Sequence, residues 1–176
     1  MQLQRIDAQH PLFDAAFALY EQSFPPNERR TRADHLRALA DADFFPLCAV
    51  QHDTVLADVF VWRTPDFTYL EHFAVQPALR GQGLGGALLE QLFCPDRLLV
   101  LEIEPPEDEK KRRRKAFYER HGLQAQPYAH VQLPFQGGGA AEPLIIMTDR
   151  AFSAEQCRAF QDYLLKRVVR YTQYKP

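Results

Sequence analysis

Glycines cluster at one place in this chain where the sequence could support chemistry. Four of the eight glycines lie between Gly81 and Gly86, after an apolar segment that ends at Val75 and before another that starts at Leu84. Glycine permits a positive φ and lets a ligand approach the backbone closely. A helix that begins here would present free N–H groups and its positive dipole end, and Arg80 adds a full positive charge. The segment therefore predicts a phosphate-binding site.

Three other interpretations of the glycine loop compete with this one. Gly81, Gly83 and Gly86 satisfy the dinucleotide pattern G-x-G-x-x-G, and Glu102 follows about 20 residues on. That pattern should follow its strand almost at once and open the fold, whereas here a five-residue insert precedes it and most of the first half of the chain lies before it. A P-loop fails because Ala87 stands where Lys is required. The plainest alternative is a turn that only packs a helix against a strand.

A longer pattern around the glycines resembles a known family. Arg80-Gly81-Gln82-Gly83-Leu84-Gly85 matches Q/R-x-x-G-x-G/A and follows a strand that ends in Ala-Val-x-Pro. This resembles the GNAT (GCN5-related) N-acetyltransferase superfamily, whose members bind the pyrophosphate of acetyl-CoA at this turn. The segment Ala116–Leu123 is similar to the family's A-x-x-F-Y-x-x-x-G-F pattern. The stretch Leu101–Pro106 looks like that of a bacterial branch of the family, and the sequence does not identify its substrate.

The resemblance implies an acetyl-CoA-dependent N-acetyltransferase that acts by direct attack of a primary amine, expected to belong to a small molecule. It implies that the fourth and fifth strands splay apart to admit the pantetheine arm. Tyr118 matches the family's usual general acid, since a phenol with an ordinary pKa near 10 can protonate a thiolate at neutral pH. The residues implied to bind the cofactor are Phe73, Ala74, Val75, Arg80, Gly81, Gln82, Gly83, Leu84, Gly85, Gly86 and Tyr118.

The general base is less well specified by the sequence. Glu71 lies within an otherwise apolar strand and is the first candidate to take the amine proton, directly or through water. Glu102 and Glu104, on one face of the next strand, are alternatives. Strict alternation along the strand predicts that Glu71 and Phe73 share one face and that His72 points to the other, where it is expected to be a core histidine.

Hydrophobic periodicity predicts a single α/β (α+β) domain over residues 1–176, with a mixed, twisted sheet of about six to seven strands flanked by helices. Predicted strands cover 3–6, 44–50, 54–62, 67–75, 98–103, 131–133 and 144–148, and predicted helices cover 11–23, 31–39, 83–93, 108–120 and 153–171. Gly137–Gly139 is expected to be a flexible loop. We expect the acceptor pocket to use the two N-terminal helices, residues 128–139 and the last helix, with Phe24, Tyr128, Phe135 and Glu71 as suitable groups.

Composition and charge indicate which partners and which cellular location to expect. The 176 residues carry 21 Lys plus Arg against 23 Asp plus Glu, so neither nucleic acid nor a membrane is an expected partner. The three separated cysteines and the absence of an apolar leader favour a cytoplasmic protein, and the histidine spacing predicts no metal site. A homodimer is left open. A non-catalytic CoA-binding module, or an NAD-type dinucleotide-binding one, is the alternative from another class.

Overall fold

The computed structural model describes residues 3–137 and 140–174, which form a mixed α/β fold. Its strands are β1 (Leu3–Arg5), β2 (Phe44–Gln51), β3 (Thr54–Arg63), β4 (Phe67–Val75), β5 (Leu98–Ile103), β6 (Gln124–Ala125), β7 (Val131–Gln132), β8 (Glu142–Pro143) and β9 (Ile145–Thr148). Its helices are α1 (Phe13–Ser23), α2 (Arg32–Ala38), α3 (Leu84–Glu90), α4 (Glu109–Arg120) and α5 (Ala154–Lys166). Short 3-10 turns cover Pro26–Glu28, Pro77–Leu79 and Val168–Tyr171.

Seven strands form one sheet in the order β1-β2-β3-β4-β5-β9-β6, which confirms the predicted fold class and strand number. Only β4 and β5 are parallel, and every other neighbouring pair in this sheet is antiparallel. The parallel pair needs a crossover, and α3 supplies it. The strands β7 and β8 pair with each other outside the main sheet.

Local hydrogen bonds cap two of the helices. The Thr31 side chain accepts a hydrogen bond from the Asp34 amide, and Ser153 and Gln156 form a capping box. The last helix is shorter than predicted. It ends at Lys166, and the chain continues as the 3-10 turn Val168–Tyr171. In the described part of the chain, no helix is long and apolar enough to cross a bilayer.

Apolar side chains cover both faces of the sheet. On one face, α1 and α5 pack over sheet residues that include Trp62 and Tyr69. On the other face, α3 and α4 pack over residues that include Leu70 and Leu101. The loop predicted at Gly137–Gly139 falls largely on residues 138 and 139, which lie outside the described residues.

The sheet is split between its fourth and fifth strands. β4 and β5 pair only where Phe67–Leu70 lies beside Leu98–Leu101. Opposite the junction of Phe60 and Val61 in β3, the register shifts by one residue, so that Glu71 is the extra residue of a β-bulge. Beyond the bulge, β4 stays paired with β3 and has no partner in β5 among the described residues.

This bulge corrects one prediction. Glu71 and His72 were expected on opposite faces, but both lie on the α1 side, where His72 packs edge-on against Tyr20 and Phe24. Phe73 turns to the α3 side. Alternation fails here because the extra residue of a bulge shifts the side-chain order by one position. His72 is a buried core histidine, as expected.

Asp58 of β3 is fully buried and almost unpartnered. The Cys48 thiol donates to its Oδ1 at 3.3 Å, and Oδ2 has no hydrogen-bond partner among the described residues. Burial raises the pKa of Asp58 to about 8, although the hydrogen bond from Cys48 opposes the shift. The folded chain therefore holds this proton more tightly than the unfolded chain does. The resulting stabilisation is complete below about pH 4 and is lost as the pH rises to about 8.

We expect Asp58→Asn to raise the free energy of unfolding at pH 8. The amide oxygen keeps the Cys48 hydrogen bond, and the variant has no carboxyl that must take up a proton on folding. Its advantage over the wild type should shrink by about 1.4 kcal/mol per pH unit as the pH falls from 8 towards 5. Urea unfolding followed by circular dichroism at several pH values measures it. An advantage that does not change with pH would contradict the assignment.

Candidate active site

The predicted glycine turn joins the open end of β4 to α3. After β4 ends at Val75, the 3-10 turn Pro77–Leu79 leads to two left-handed residues, Gly81 with φ +76° and Gly83 with φ +82°. A Cβ at either glycine would meet nothing within 4 Å, so backbone conformation and not crowding requires glycine there. The turn therefore presents open backbone at the start of α3, where phosphate was predicted to bind.

The later glycines of the motif have a different task. A Cβ on Gly86 would lie 2.6 Å from the ring of His121, and one on Gly85 would lie 3.6 Å from Phe117. Gly86 thus permits α3 to approach α4 closely. The two polar side chains of the motif stabilise the turn through hydrogen bonds to its backbone. Arg80 Nε donates to the Val75 carbonyl, and Gln82 Nε2 donates to the Ala78 carbonyl, each at 2.9 Å.

Tyr118 lies on α4 on the same side of the sheet as the turn. The residue is buried, and its hydroxyl has no hydrogen bond to another described residue. Burial raises the pKa of Tyr118 to about 12, against the opposing charge of Arg114. A phenol with this pKa stays protonated at neutral pH and can act as a proton donor. Arg114, one turn earlier on α4, pairs with Glu104 just beyond β5.

A polar cleft lies beside the split between β4 and β5. Its volume is about 60 Å³, and four carboxylates line it, from the turn after α1, from β4 and from β5 and its end: Glu28, Glu71, Glu102 and Glu104. Phe24, His72, Arg114 and Gln132 complete most of the wall. The structure thus brings together the three carboxylates predicted as possible bases and adds a fourth, Glu28.

Glu71 is held by an ion pair. Two nitrogens of the Arg30 guanidinium donate to its two oxygens, at 2.6 and 2.7 Å, and both side chains are at most 1% exposed. Burial alone would raise the pKa of Glu71, but the charge of Arg30 holds it well below its usual range. A carboxylate this acidic is a weak proton acceptor.

The carboxylates from β5 are also partnered. Glu102 accepts hydrogen bonds from the Tyr69 hydroxyl and from Nε2 of His130. Glu104 pairs with Arg114 and lies 3.5 Å from the ammonium of Lys111. Arg114 and Lys111 come from a basic run whose sequence alone indicates a solvated helix face.

Glu28 is the carboxylate of the cleft with no hydrogen bond or ion pair from its side chain to another described residue. It is partly buried in the 3-10 turn between α1 and α2. This turn is fixed because Nε2 of His72 donates to the Glu28 carbonyl at 2.8 Å. Burial, followed by the negative charge of Glu104, raises the pKa of Glu28. The sequence analysis missed this residue, since its only local signal is a carboxylate after Pro25-Pro26.

A second, larger cavity adjoins the polar cleft. It holds about 400 Å³ and is lined by residues 129–135, by α5 and by the 3-10 turn that follows. Phe135 lines this cavity and Phe24 lines the cleft, whereas the Tyr128 hydroxyl donates to the Phe152 carbonyl at 2.9 Å and Tyr128 lines neither. Glu102 and Gln132 border both spaces.

Comparison with known proteins agrees with this arrangement. The family model of the GNAT acetyltransferase domain matches residues 43–124. A proposed acetyltransferase of Bacillus subtilis, YjbC, is 30% identical over 101 residues, which are 55% of this chain. The match covers 50% of YjbC, so the chain spans about half the length of this curated relative.

Solved structures share the fold over most of the chain. A proposed GNAT-family acetyltransferase from Bacteroides thetaiotaomicron is 29% identical with a TM-score of 0.87, covering 96% of this chain and 98% of its own. A GNAT-family acetyltransferase from Elizabethkingia anophelis, solved with acetyl-CoA bound, is 13% identical with a TM-score of 0.59 and covers 85% and 97% of the two chains.

We expect Glu71→Gln to lower the free energy of unfolding by about 3–5 kcal/mol, because it leaves the buried charge of Arg30 without its counter-charge. Glu21→Gln is the matched control, since Glu21 pairs with the neighbouring Arg29 while 46% exposed, and should cost less than about 1 kcal/mol. Urea unfolding compares the two variants. If Glu71→Gln kept full stability, the ion pair would not be the support that its geometry indicates.

Proposed function

We propose that this chain, whose residues 43–124 match the GNAT acetyltransferase domain, transfers an acetyl group from acetyl-CoA to a primary amine. We take residues 1–176 as one acetyltransferase domain. The observation that carries the proposal is the split between β4 and β5. It has a glycine turn with open backbone on one side and a cleft of carboxylates on the other.

Acetyl-CoA would bind on the side of the glycine turn, and the amine would bind on the side of the carboxylate cleft. Backbone groups of Gly81–Gly86 would hold the pyrophosphate, with the positive charge of Arg80 nearby. The edge of β4 over Phe73–Val75 has no strand partner in β5, so its backbone can hydrogen-bond the pantetheine arm and the thioester oxygen. The solved E. anophelis structure with acetyl-CoA bound has the same fold, which supports this placement.

Two side chains and the backbone of β4 would serve the chemistry of direct attack. The amine nitrogen forms a bond to the thioester carbon, and the carbon–sulfur bond breaks. Backbone N–H groups of β4 would stabilise the oxyanion that develops on the carbonyl oxygen. Tyr118 would give its proton to the departing thiolate, because its hydroxyl is protonated and unpartnered.

For the base we propose Glu28 in place of Glu71. Glu71, Glu102 and Glu104 are each engaged by a cation or by hydrogen bonds, whereas the Glu28 side chain lines the cleft with no hydrogen bond or ion pair to another described residue. A carboxylate whose pKa lies above its usual value accepts a proton better at neutral pH than one whose pKa is depressed. Glu28 would take the proton that the attacking amine must lose.

The remaining expectations stay predictions. They are a small-molecule acceptor, a cytoplasmic location, a possible homodimer, and the absence of metal, nucleic acid and membrane partners. The second candidate function, a CoA-binding module without catalysis, shares the glycine turn and differs only in whether Tyr118 and Glu28 turn substrate over.

Calorimetric titration with acetyl-CoA, and separately with NAD, tests the proposal. We expect acetyl-CoA to bind to the wild type and not to Gly83→Glu, which strains the left-handed turn and places a carboxylate where phosphate should lie. Tyr118→Phe should keep acetyl-CoA binding and lose about 10²-fold or more in kcat in an assay of thiol release with a panel of primary amines. Tyr128→Phe, outside the cleft, is the control. Binding of NAD without acetyl-CoA would overturn the proposal.

Glu28→Gln should lower kcat/KM by about 10²-fold and abolish the fall in kcat/KM on the acid side of the pH profile that protonation of the base produces. The groups that face Glu28 from neighbouring elements are Glu71, His72, Glu104, Arg114 and Glu142, and they remain in the variant. Glu155→Gln, on the exposed start of α5, is the control. An unchanged profile would return the role to Glu102, Glu104 or water.

A further inference from the structure

The larger cavity beside the cleft points to the class of acceptor. Resting on the function proposed above, we propose that the acceptor is a primary amine on an apolar aliphatic or aromatic body. The body would lie in the 400 Å³ cavity, and the ammonium group would lie at Glu102. This cavity is hereafter the apolar pocket.

The wall of the apolar pocket is made of aliphatic and aromatic side chains from residues 129–135, from α5 and from the 3-10 turn that follows α5. The principal ones are Val131, Leu133, Phe135, Leu164, Leu165 and Val169. Its volume of about 400 Å³ lies within the range of about 300–1,000 Å³ that is typical of sites for small molecules. A wall of this kind gains by removing apolar surface from water and offers little to a hydrophilic body.

The rim of the pocket carries unusual surface residues. Among the described residues, three large hydrophobic side chains are exposed: Leu36, Val131 and Leu165, at 40%, 50% and 57%. Two of these three line the apolar pocket, and they come from separate elements, β7 and α5. Exposed apolar side chains that converge on one cavity mark a place where another apolar group binds.

A polar group is built into the inner end of the pocket. Tyr69 and His130 both hydrogen-bond Glu102, and Gln161 Nε2 lies 3.3 Å from Nδ1 of His130. Since the Gln161 amide donates, Nδ1 accepts and the ring proton lies on Nε2, facing Glu102. Glu102 thus accepts from two donors, the Tyr69 hydroxyl and Nε2 of His130. One negative charge at the end of an apolar pocket is complementary to one ammonium group.

The position of Glu102 connects the pocket to the chemistry. Glu102 borders both the apolar pocket and the polar cleft that Glu28 lines. An ammonium group held at Glu102 would therefore stand at the junction of the two spaces, with its apolar body behind it. A polyamine or an amino sugar would have to place further charged or hydroxyl groups against an apolar wall, which is costly without partners.

Two paired comparisons test this inference. The first compares kcat/KM of the wild type for hexylamine with that for ethylamine, and for phenethylamine with that for ethanolamine, each with acetyl-CoA. We expect the apolar amine of each pair to be preferred by at least ten-fold. Equal values within each pair, or a preference for spermidine, would overturn the inference while leaving acetyl transfer established.

The second comparison uses variants of the rim. Leu165→Glu and Val131→Glu should lower kcat/KM for hexylamine by about ten-fold or more, a larger loss than either causes for ethylamine. Leu36→Glu, an equally drastic change on α2 outside the pocket, should alter neither. Equal losses in all three variants would show a general effect on the fold and would contradict the assignment.

Two measurements without turnover separate this inference from the proposed function. Hexylamine binding, followed by calorimetry in the absence of acetyl-CoA, should be weakened by Leu165→Glu and not by Leu36→Glu. If hexylamine binds in this way and acetyl-CoA does not bind, the proposed function fails and the pocket stands. If light scattering shows a dimer that Leu165→Glu dissociates, and no apolar preference appears, the rim is an interface between two copies and the inference is overturned.

Discussion

The Arg30–Glu71 ion pair connects the two halves of the candidate active site. Arg30 belongs to the segment between α1 and α2, and Glu71 is the bulged residue of β4, so the pair ties the helical layer to the sheet where the sheet begins to split. The guanidinium also lies over the rings of Phe44, Trp62 and Phe135, and the Tyr20 hydroxyl accepts from the Arg30 amide. A charge removed from water this completely requires its partner.

That constraint explains the placement of groups around it. The segment that carries Arg30 also carries Glu28, and the bulge that presents Glu71 turns His72 to the same face, where its ring donates to the Glu28 carbonyl. The cleft thus forms beside a buried salt bridge, and within the described part of the chain one of its carboxylates, Glu28, has no hydrogen-bond or ion-pair partner. Under the proposed mechanism, Glu71 holds Arg30 in place and Glu28 takes the proton.

The features of this fold that can be predicted from the sequence are those that depend on residues close together in the chain. The positive-φ glycines before α3 and the caps at Thr31 and Ser153 depend on local sequence, and periodicity predicts the strands β1 to β5 and β9. It does not predict β6, and the predicted strand 131–133 pairs with β8 outside the main sheet. The reason for glycine at position 86 cannot be predicted from the motif alone. The ring that a Cβ there would meet belongs to His121, at the end of α4 and 35 positions later in the chain.

The rest of the site depends on contacts between distant residues. A bulge is invisible to a reading that assumes alternation, so the face of His72 could not be predicted. Glu28 gains its setting from β4 and β5, and Glu102 gains His130 from a segment 28 residues away. Carboxylates look alike in the sequence. Whether one of them is paired with a cation or a hydrogen-bond donor depends on residues that are distant in the chain.

The short parallel stretch between β4 and β5 also has a mechanical consequence. Among the described residues it is the one direct strand-to-strand link between β1-β2-β3-β4 and β5-β9-β6, so the sheet consists of two smaller sheets joined at this short stretch, the stem. Past the stem, the described residues of β4 and β5 form no ladder with each other. An extended molecule that hydrogen-bonds along the free edge of β4 would act as a substitute strand there, and the two smaller sheets would then move as a single rigid unit.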